Sequence, residues 1–160
     1  MLKNKHVILL FVFILTHILL DQLSKQYVRA TVDYYNTIHL WRPFLLLTKV
    51  ENSGAFLSLG AGLSSWVHSF FILVVPTVIL GGLLFYVITR KSVNTISLFA
   101  FSCVIGGGIG NLIDRFLYGS VTDFLVIDVR FARTGIFNFA DVSIMLGIGL
   151  LVLINFTSKK

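Results

Sequence analysis

Four long runs of apolar residues dominate the chain, and most polar residues collect between them. The runs at 6–28, 66–89, 94–113 and 136–156 each offer about 20 residues, the length a helix needs to cross roughly 30 Å of hydrocarbon. The first run follows Lys3 and Lys5 but lacks a small-x-small cleavage site, so it predicts an uncleaved helix. The pattern therefore predicts four transmembrane helices within one domain, residues 1–160.

Short apolar runs in the two longer connections predict a small β-sheet. The runs at 37–40 and 44–50 flank Pro43, and a third lies at 122–131. We expect this sheet to lie on the membrane with Trp41 at the interface. The predicted fold class is an all-α membrane protein with four transmembrane helices and a small extracytoplasmic β-sheet.

Composition supports a membrane protein and argues against nucleic-acid binding. Hydrophobic residues make up 56% of the chain and charged residues 12%, whereas about 25% of a soluble domain is charged. The net charge is +6, but the basic residues form no patch with exposed aromatic residues. They are instead densest in the short segments 1–5, 89–92 and 157–160, which contain no acid. This density predicts that both termini lie in the cytoplasm and that the longer connections face outward.

Two aspartates lie in apolar surroundings and are the strongest candidates for chemistry. Asp123 sits in the run 121–127 and Asp141 near the start of the fourth span, and neither has Lys or Arg at helical spacing. Carboxylates are costly in a membrane and usually mark a functional site. If the two side chains meet and share a proton, they can activate water as general base and general acid. No cofactor is required for that reaction.

Other polar residues near the predicted membrane surface have both functional and structural interpretations. Asn111 and Arg115 share one helix face beside Asp114, a cluster that could equally end a helix at the interface. Asn138 lies three residues before Asp141 and could hydrogen-bond it or a substrate backbone. The glycines at 106–110 lack a following Lys-Ser or Lys-Thr pair, which favours close helix packing over phosphate binding.

We predict structural roles for the histidines and for the single cysteine. Cys103 lies in an apolar helical run, so it can form no internal disulfide and no Cys/His metal set surrounds it. The four histidines are scattered, and no histidine is expected to pair with a serine as a catalytic triad requires. These residues are His6, His17, His39 and His68.

Five motifs in order closely resemble those of the lipoprotein signal peptidases, also called signal peptidase II. They are DQLSK at 21–25, NSGAF at 52–56, GNLIDR at 110–115, VTDF at 121–124 and FNFAD at 137–141. The resemblance implies an aspartic peptidase of the bacterial cytoplasmic membrane whose catalytic dyad is Asp123 and Asp141. It also implies substrate-binding roles for Asn52, Gly54, Asn111, Arg115 and Asn138, and structural support from Asp21, Lys25 and Asp114. The implied fold is a four-helix membrane bundle with a β-cradle.

The same resemblance implies partners and a reaction. Its substrates would be prolipoproteins carrying a diacylglyceryl group on a cysteine, cut just before that cysteine, with membrane lipids around the enzyme and globomycin-type cyclic peptides as inhibitors. The chain departs from the usual pattern at Glu51 and Phe56, which are expected to put an added acid and a bulkier side chain beside the site. We expect these residues to affect the choice of substrate rather than the dyad.

Two other functions fit some of these features. A proton-coupled transporter also uses intramembrane carboxylates, but it usually has internal repeats and acids near the membrane midplane. Here the acids gather at one side. A non-catalytic assembly factor or chaperone would have no use for two unpaired aspartates in apolar runs. Cleavage of a lipidated prolipoprotein would distinguish the three functions.

Overall fold

The computed structural model describes residues 2–54, 66–67, 70–90, 93–129 and 131–157. Within them the helices are α1 (Leu2–Thr31), α2 (Val75–Thr89), α3 (Thr95–Tyr118) and α4 (Phe139–Thr157), and a π-helical turn at Phe70–Val74 leads into α2. The strands are β1 (Ile38–Trp41), β2 (Leu45–Asn52), β3 (Val121–Val129) and β4 (Ala132–Arg133). All four helices are long and apolar enough to cross a membrane, with the π-helical turn counted in the second. The predicted fold class is therefore confirmed.

The four strands form one antiparallel sheet in the order β1-β2-β3-β4. Three of the strands overlap the predicted runs, while the short strand β4 was not predicted. In the pairing of β2 with β3, Val50 lies opposite Asp123 and Glu51 lies opposite Thr122. Because successive strand residues point to opposite faces, this register puts Asp123 and Glu51 on different faces of the sheet.

Among the helix ends that differ from those predicted from hydrophobicity, two position the polar residues. Helix α3 continues past residue 113 to Tyr118 and ends at Gly119, whose φ is 73° and whose N–H donates to the Arg115 carbonyl at 3.1 Å. Helix α4 begins at Phe139 rather than 136, because Phe137 still pairs with Leu125 of β3. The polar residues between 111 and 115 consequently lie on the last turns of α3.

Helix α3 is the central helix of the bundle. More than half of its span is buried, compared with less than a fifth of each of the others. A Cβ added to Gly106, Gly107 or Gly108 would lie 2.8, 2.5 and 2.7 Å from atoms of α1, α4 and α2, respectively. The prediction that these glycines allow close helix packing is confirmed.

A hydrophobic cluster joins the sheet to the end of α1. Val28 and Val32 of this end are buried against Phe124 of β3, with Leu47 of β2 packed beside them. Burial of these side chains stabilises the sheet against the bundle. The neighbouring residue Asp123 is thereby held at the junction between the sheet and the helices.

Candidate active site

Asp123 is a buried residue of β3 with an amide donor on each carboxylate oxygen. Asn52 Nδ2 donates to Oδ2 at 3.0 Å, and Asn138 Nδ2 donates to Oδ1 at 2.7 Å. Burial raises the pKa of the Asp123 carboxyl to about 6, and the negative charge of Asp141 adds to the rise. The hydrogen bonds from Asn52 and Asn138 act in the opposite direction, because they stabilise the ionised form.

Asp141 is the third residue of α4 and takes part in a reciprocal helix cap. Asn138 Oδ1 accepts from the Asp141 N–H at 3.0 Å, and Asp141 Oδ2 accepts from the Asn138 N–H at 3.1 Å. This is the capping-box arrangement with asparagine and aspartate in the two capping positions. The other carboxylate oxygen, Oδ1, accepts from Asn111 Nδ2 at 2.9 Å. The cap therefore fixes the direction of the Asp141 side chain.

The fully buried amide of Asn138 connects the surroundings of the two aspartates. Its Nδ2 group donates to Asp123 and, at 3.1 Å, to Asn111 Oδ1, while Asn111 itself donates to Asp141. Asn111 Oδ1 also accepts from Lys25 Nζ at 2.9 Å. The structure thus brings Asp123, Asp141, Asn111 and Asn138 into one hydrogen-bond network.

A buried ionic cluster supports this network from the side of α1. Lys25 Nζ lies 2.8 Å from Asp21 Oδ2 and 3.3 Å from Asp114 Oδ2, and all three side chains are completely buried. Asp21 Oδ1 accepts from the backbone N–H of Ala140, which lies in the first turn of α4, where an N–H group has no acceptor within the helix. The cluster therefore holds the segment that carries Asp141.

Arg29 is a further member of the ionic cluster and was not among the residues predicted from the sequence. Its Nη2 lies 2.8 Å from Asp114 Oδ2, and its Nε donates to Thr122 Oγ1 at 2.8 Å. The sequence does contain a pattern that indicates this role for Arg29. Asp21, Lys25 and Arg29 follow one another at four-residue intervals, so they lie on a single helix face. Thr122 also donates its backbone N–H to Asp114 at 3.1 Å, which ties β3 to α3.

Arg115 and Gly54 meet at the rim of the site. Arg115 Nη2 donates to the Gly54 carbonyl at 3.5 Å, and Gly54 donates its N–H to Asn52 Oδ1 at 3.1 Å. Arg115 Nε is buried and has no hydrogen-bond partner within the part of the chain that is described. The guanidinium thus places a positive charge and a free donor beside the two aspartates.

Glu51 does not lie beside the aspartates, contrary to the sequence-based expectation. Its carboxylate accepts from Ser120 Oγ at 2.6 Å and from Thr122 Oγ1 at 2.8 Å, on the face of the sheet opposite Asp123. The Glu51 carboxylate therefore connects β2 to β3 through hydrogen bonds. Phe56, the other departure from the family pattern, lies outside the described residues.

A large cleft of about 1010 Å³ extends from the two aspartates into the apolar bundle. At its polar end it is lined by Asp123 and Asp141 together with Asn52, Asn111 and Arg115. Its walls come from α2, from α3 and α4, and from the segment before α4, and they include Leu80, Val104, Met145 and Ile136. An apolar cleft with a few converging polar groups at one end is typical of a ligand-binding site.

One histidine contacts a serine, but not in the arrangement that a catalytic triad requires, because its second ring nitrogen faces a cysteine and not a carboxylate. His17 Nδ1 lies 3.0 Å from Ser143 Oγ, and its Nε2 lies 3.2 Å from Cys103 Sγ. Cys103 precedes Asn111 by eight residues on α3, a rise of about 12 Å along the helix. This polar contact joins α1, α3 and α4 in the bundle. It is separate from the network around Asp123 and Asp141.

Comparison with known proteins gives consistent results. Residues 13–157 match the family model described as Signal peptidase (SPase) II. The chain is 38% identical to a lipoprotein signal peptidase of Gloeobacter violaceus, over 85% of this chain and 75% of the relative. It is 36% identical to a lipoprotein signal peptidase of Haemophilus influenzae, over 88% and 81% of the two chains.

Two solved structures described as bacterial membrane enzymes have the same fold. One superposes with a TM-score of 0.84 at 25% identity, over 94% of this chain and 89% of the other. The second has a TM-score of 0.79 at 28% identity, over 91% and 90% of the chains.

Proposed function

The chain belongs to the signal peptidase II family, and on that basis we propose that it is an aspartic endopeptidase that removes signal peptides from bacterial prolipoproteins. The proposed bond is the one before the diacylglyceryl-modified cysteine. The observation that carries the proposal is the meeting of Asp123 and Asp141 in one network at the polar end of an apolar cleft.

The surroundings of the two aspartates suggest different roles for them. Two carboxyl groups can serve as acid and base when their environments give them different pKa values. Burial raises the pKa of Asp123 to about 6 and favours its protonated form, so Asp123 is the proposed general acid. The second carboxyl group, Asp141, is held by hydrogen bonds from Asn111 Nδ2 and the Asn138 backbone N–H, and it is the partner left to accept a proton. Asp141 is therefore the proposed general base.

The reaction then follows from this division of roles. Asp141 takes a proton from water while the oxygen attacks the carbonyl carbon of the scissile peptide. Asp123 donates its proton to the carbonyl oxygen, which gives a gem-diol. The proton held by Asp141 then passes to the leaving nitrogen as the C–N bond breaks, and Asp123 recovers a proton from a hydroxyl of the gem-diol. Arg115 lies near enough to bind a substrate carbonyl through its free Nε. Water reaches the dyad because it lies at the sheet end of the bundle, outside the buried middle of the spans.

Cleavage of a lipidated prolipoprotein by the purified protein in detergent micelles tests the proposal. Asp123→Asn and Asp141→Asn should each lower turnover by a factor of about 10²–10⁴ or more, since each removes one proton-transfer group. The matched control is Asp128→Asn, on the same strand as Asp123. The Asp128 side chain is partly exposed, and its carboxylate lies 3.8 Å from Arg133 Nε. Near-normal turnover in either dyad variant would remove that residue from the mechanism.

The proposed location puts both termini in the cytoplasm and the dyad at the outer face of the cytoplasmic membrane. A reporter that is active only outside the cytoplasm should work when fused after Val32 or Ser120 and should fail after Lys91 or Lys160. The reverse pattern would put the dyad on the cytoplasmic side and contradict this orientation. Globomycin-type cyclic peptides should compete with the substrate for the cleft.

A further inference from the structure

A β-bulge lies in the segment that runs from β4 to the start of α4. Thr134 donates its N–H to the Ile127 carbonyl at 2.9 Å, and Phe137 donates its N–H to the Leu125 carbonyl at 2.9 Å. Three steps along this segment therefore match two steps along β3. The extra residue pushes the backbone out of the ladder, as β-bulges near active sites commonly do.

The bulge leaves two consecutive residues without backbone partners. Neither Gly135 nor Ile136 makes a backbone hydrogen bond to any residue that the structure describes. Both line the cleft, and Ile136 is two residues from Asn138, the residue that bridges the surroundings of the dyad. Backbone N–H and C=O groups with no backbone partner among the described residues therefore lie along the cleft, close in the chain to Asn138.

The proposed substrate needs such groups. A signal peptide that crosses the membrane as a helix satisfies its own backbone, but its scissile bond must be unwound to reach the dyad. Every backbone group released by the unwinding needs a new partner in an apolar cleft. Both hydrogens of Asn138 Nδ2 and one hydrogen of Asn111 Nδ2 are already used within the network. The free Arg115 Nε and the bulge remain to receive the substrate backbone.

We propose that Gly135 and Ile136 bind the unwound residues just before the lipidated cysteine as an added stretch of β-strand. Main-chain pairing of this kind gives affinity that depends little on sequence, while alternate side chains enter pockets. It would let one enzyme accept many signal peptides while requiring an extended cleavage site. The inference rests on the proposed function, because it assigns a role in binding the substrate of that reaction.

A double-mutant cycle between enzyme backbone and substrate backbone tests the pairing. Gly135→Pro removes one N–H group, whereas the matched control Gly135→Ala retains it. The substrates are lipidated peptides in which a single amide before the cysteine is replaced by an ester, which removes the N–H and weakens the carbonyl. An ester at the paired position should lower kcat/KM roughly 3- to 10-fold with the wild-type and Gly135→Ala enzymes. The loss should be smaller with Gly135→Pro when the ester's weakened carbonyl is the group that accepts from the Gly135 N–H, because that enzyme donor is already absent.

Several outcomes would overturn the inference. Equal effects of Gly135→Pro and Gly135→Ala on KM would do so, as would ester effects that are the same in both variants. If Gly135→Pro does not fold, the wild-type enzyme still provides a test with the ester substrates. Equal decreases in kcat/KM for esters at all positions would exclude a local pairing. Failure of the wild-type enzyme to cut the all-amide substrate would instead refute the proposed function.

Discussion

Replacement of Asn52 should move the pH dependence of cleavage in a defined direction. Asn52 Nδ2 donates to Asp123 Oδ2 at 3.0 Å and stabilises the ionised carboxylate. The proposed general acid must be protonated, so the wild-type rate should fall as the pH rises through about 6, the pKa of Asp123. Asn52→Ala removes a donor to the charged form and raises that pKa, so the alkaline fall in rate should move to higher pH.

The size of this shift follows from the strength of the lost hydrogen bond. A hydrogen bond to a charged group contributes about 1.5–3 kcal/mol, and one pKa unit corresponds to about 1.36 kcal/mol. The alkaline limb should therefore move upward by about one to two pH units. Asn52→Asp should move it further, because it puts a second carboxylate in place of the donor while retaining an oxygen that can accept from the Gly54 N–H.

Initial rates measured against pH at substrate concentrations well below KM would give kcat/KM for each variant. Ser53→Ala is the matched control, since this exposed neighbour should leave the pH profile unchanged. The rate at the optimum is expected to fall in the Asn52 variants, but the position of the limb is the diagnostic quantity. A limb that moves to lower pH, or does not move, would refute the assignment of Asp123 as the protonated partner.

The remaining predictions concern stability in detergent micelles, measured by denaturant titration. Lys25→Met should lower the free energy of unfolding by about 3–5 kcal/mol, since it leaves the buried carboxylates of Asp21 and Asp114 without their shared cation. Unchanged stability would show that the cluster does not depend on Lys25. Gly107→Ala should cost about 1–3 kcal/mol, because its Cβ would lie 2.5 Å from a backbone carbonyl of α4. Gly81→Ala is its control, with no atom within 4 Å of an added Cβ; equal losses in both variants would contradict the packing argument.

Much of the architecture could be predicted because its signals are local. A run of apolar residues predicts a membrane helix wherever it stands in the chain. The unusual position of Asp123 and Asp141 is likewise visible without knowing what surrounds them, and both lie in the network that the fold assembles. Their catalytic role stays a prediction until the asparagine variants are assayed.

Helix and strand ends required information from distant parts of the chain. Hydrophobicity predicts a start at 136 for α4, but β3 holds Phe137 in the sheet and delays the helix to Phe139. The position of Glu51 shows the same limitation. Its motif predicts an acid beside the dyad, and only the strand register turns the carboxylate to the other face.

Hydrophobicity and the cost of a charge in lipid are properties of individual segments, so four spans and two candidate catalytic carboxylates could be predicted from the chain alone. The connection that Asn138 makes between the surroundings of both carboxylates, and the place of Arg29 in the buried ionic cluster, arise only in the folded chain. The fold also produces the bulge in which Gly135 and Ile136 have no backbone partner among the described residues. These features depend on the angles and register at which α1, α3, α4 and β3 meet, since hydrogen bonds form only where distant backbones bring donor and acceptor within about 3 Å.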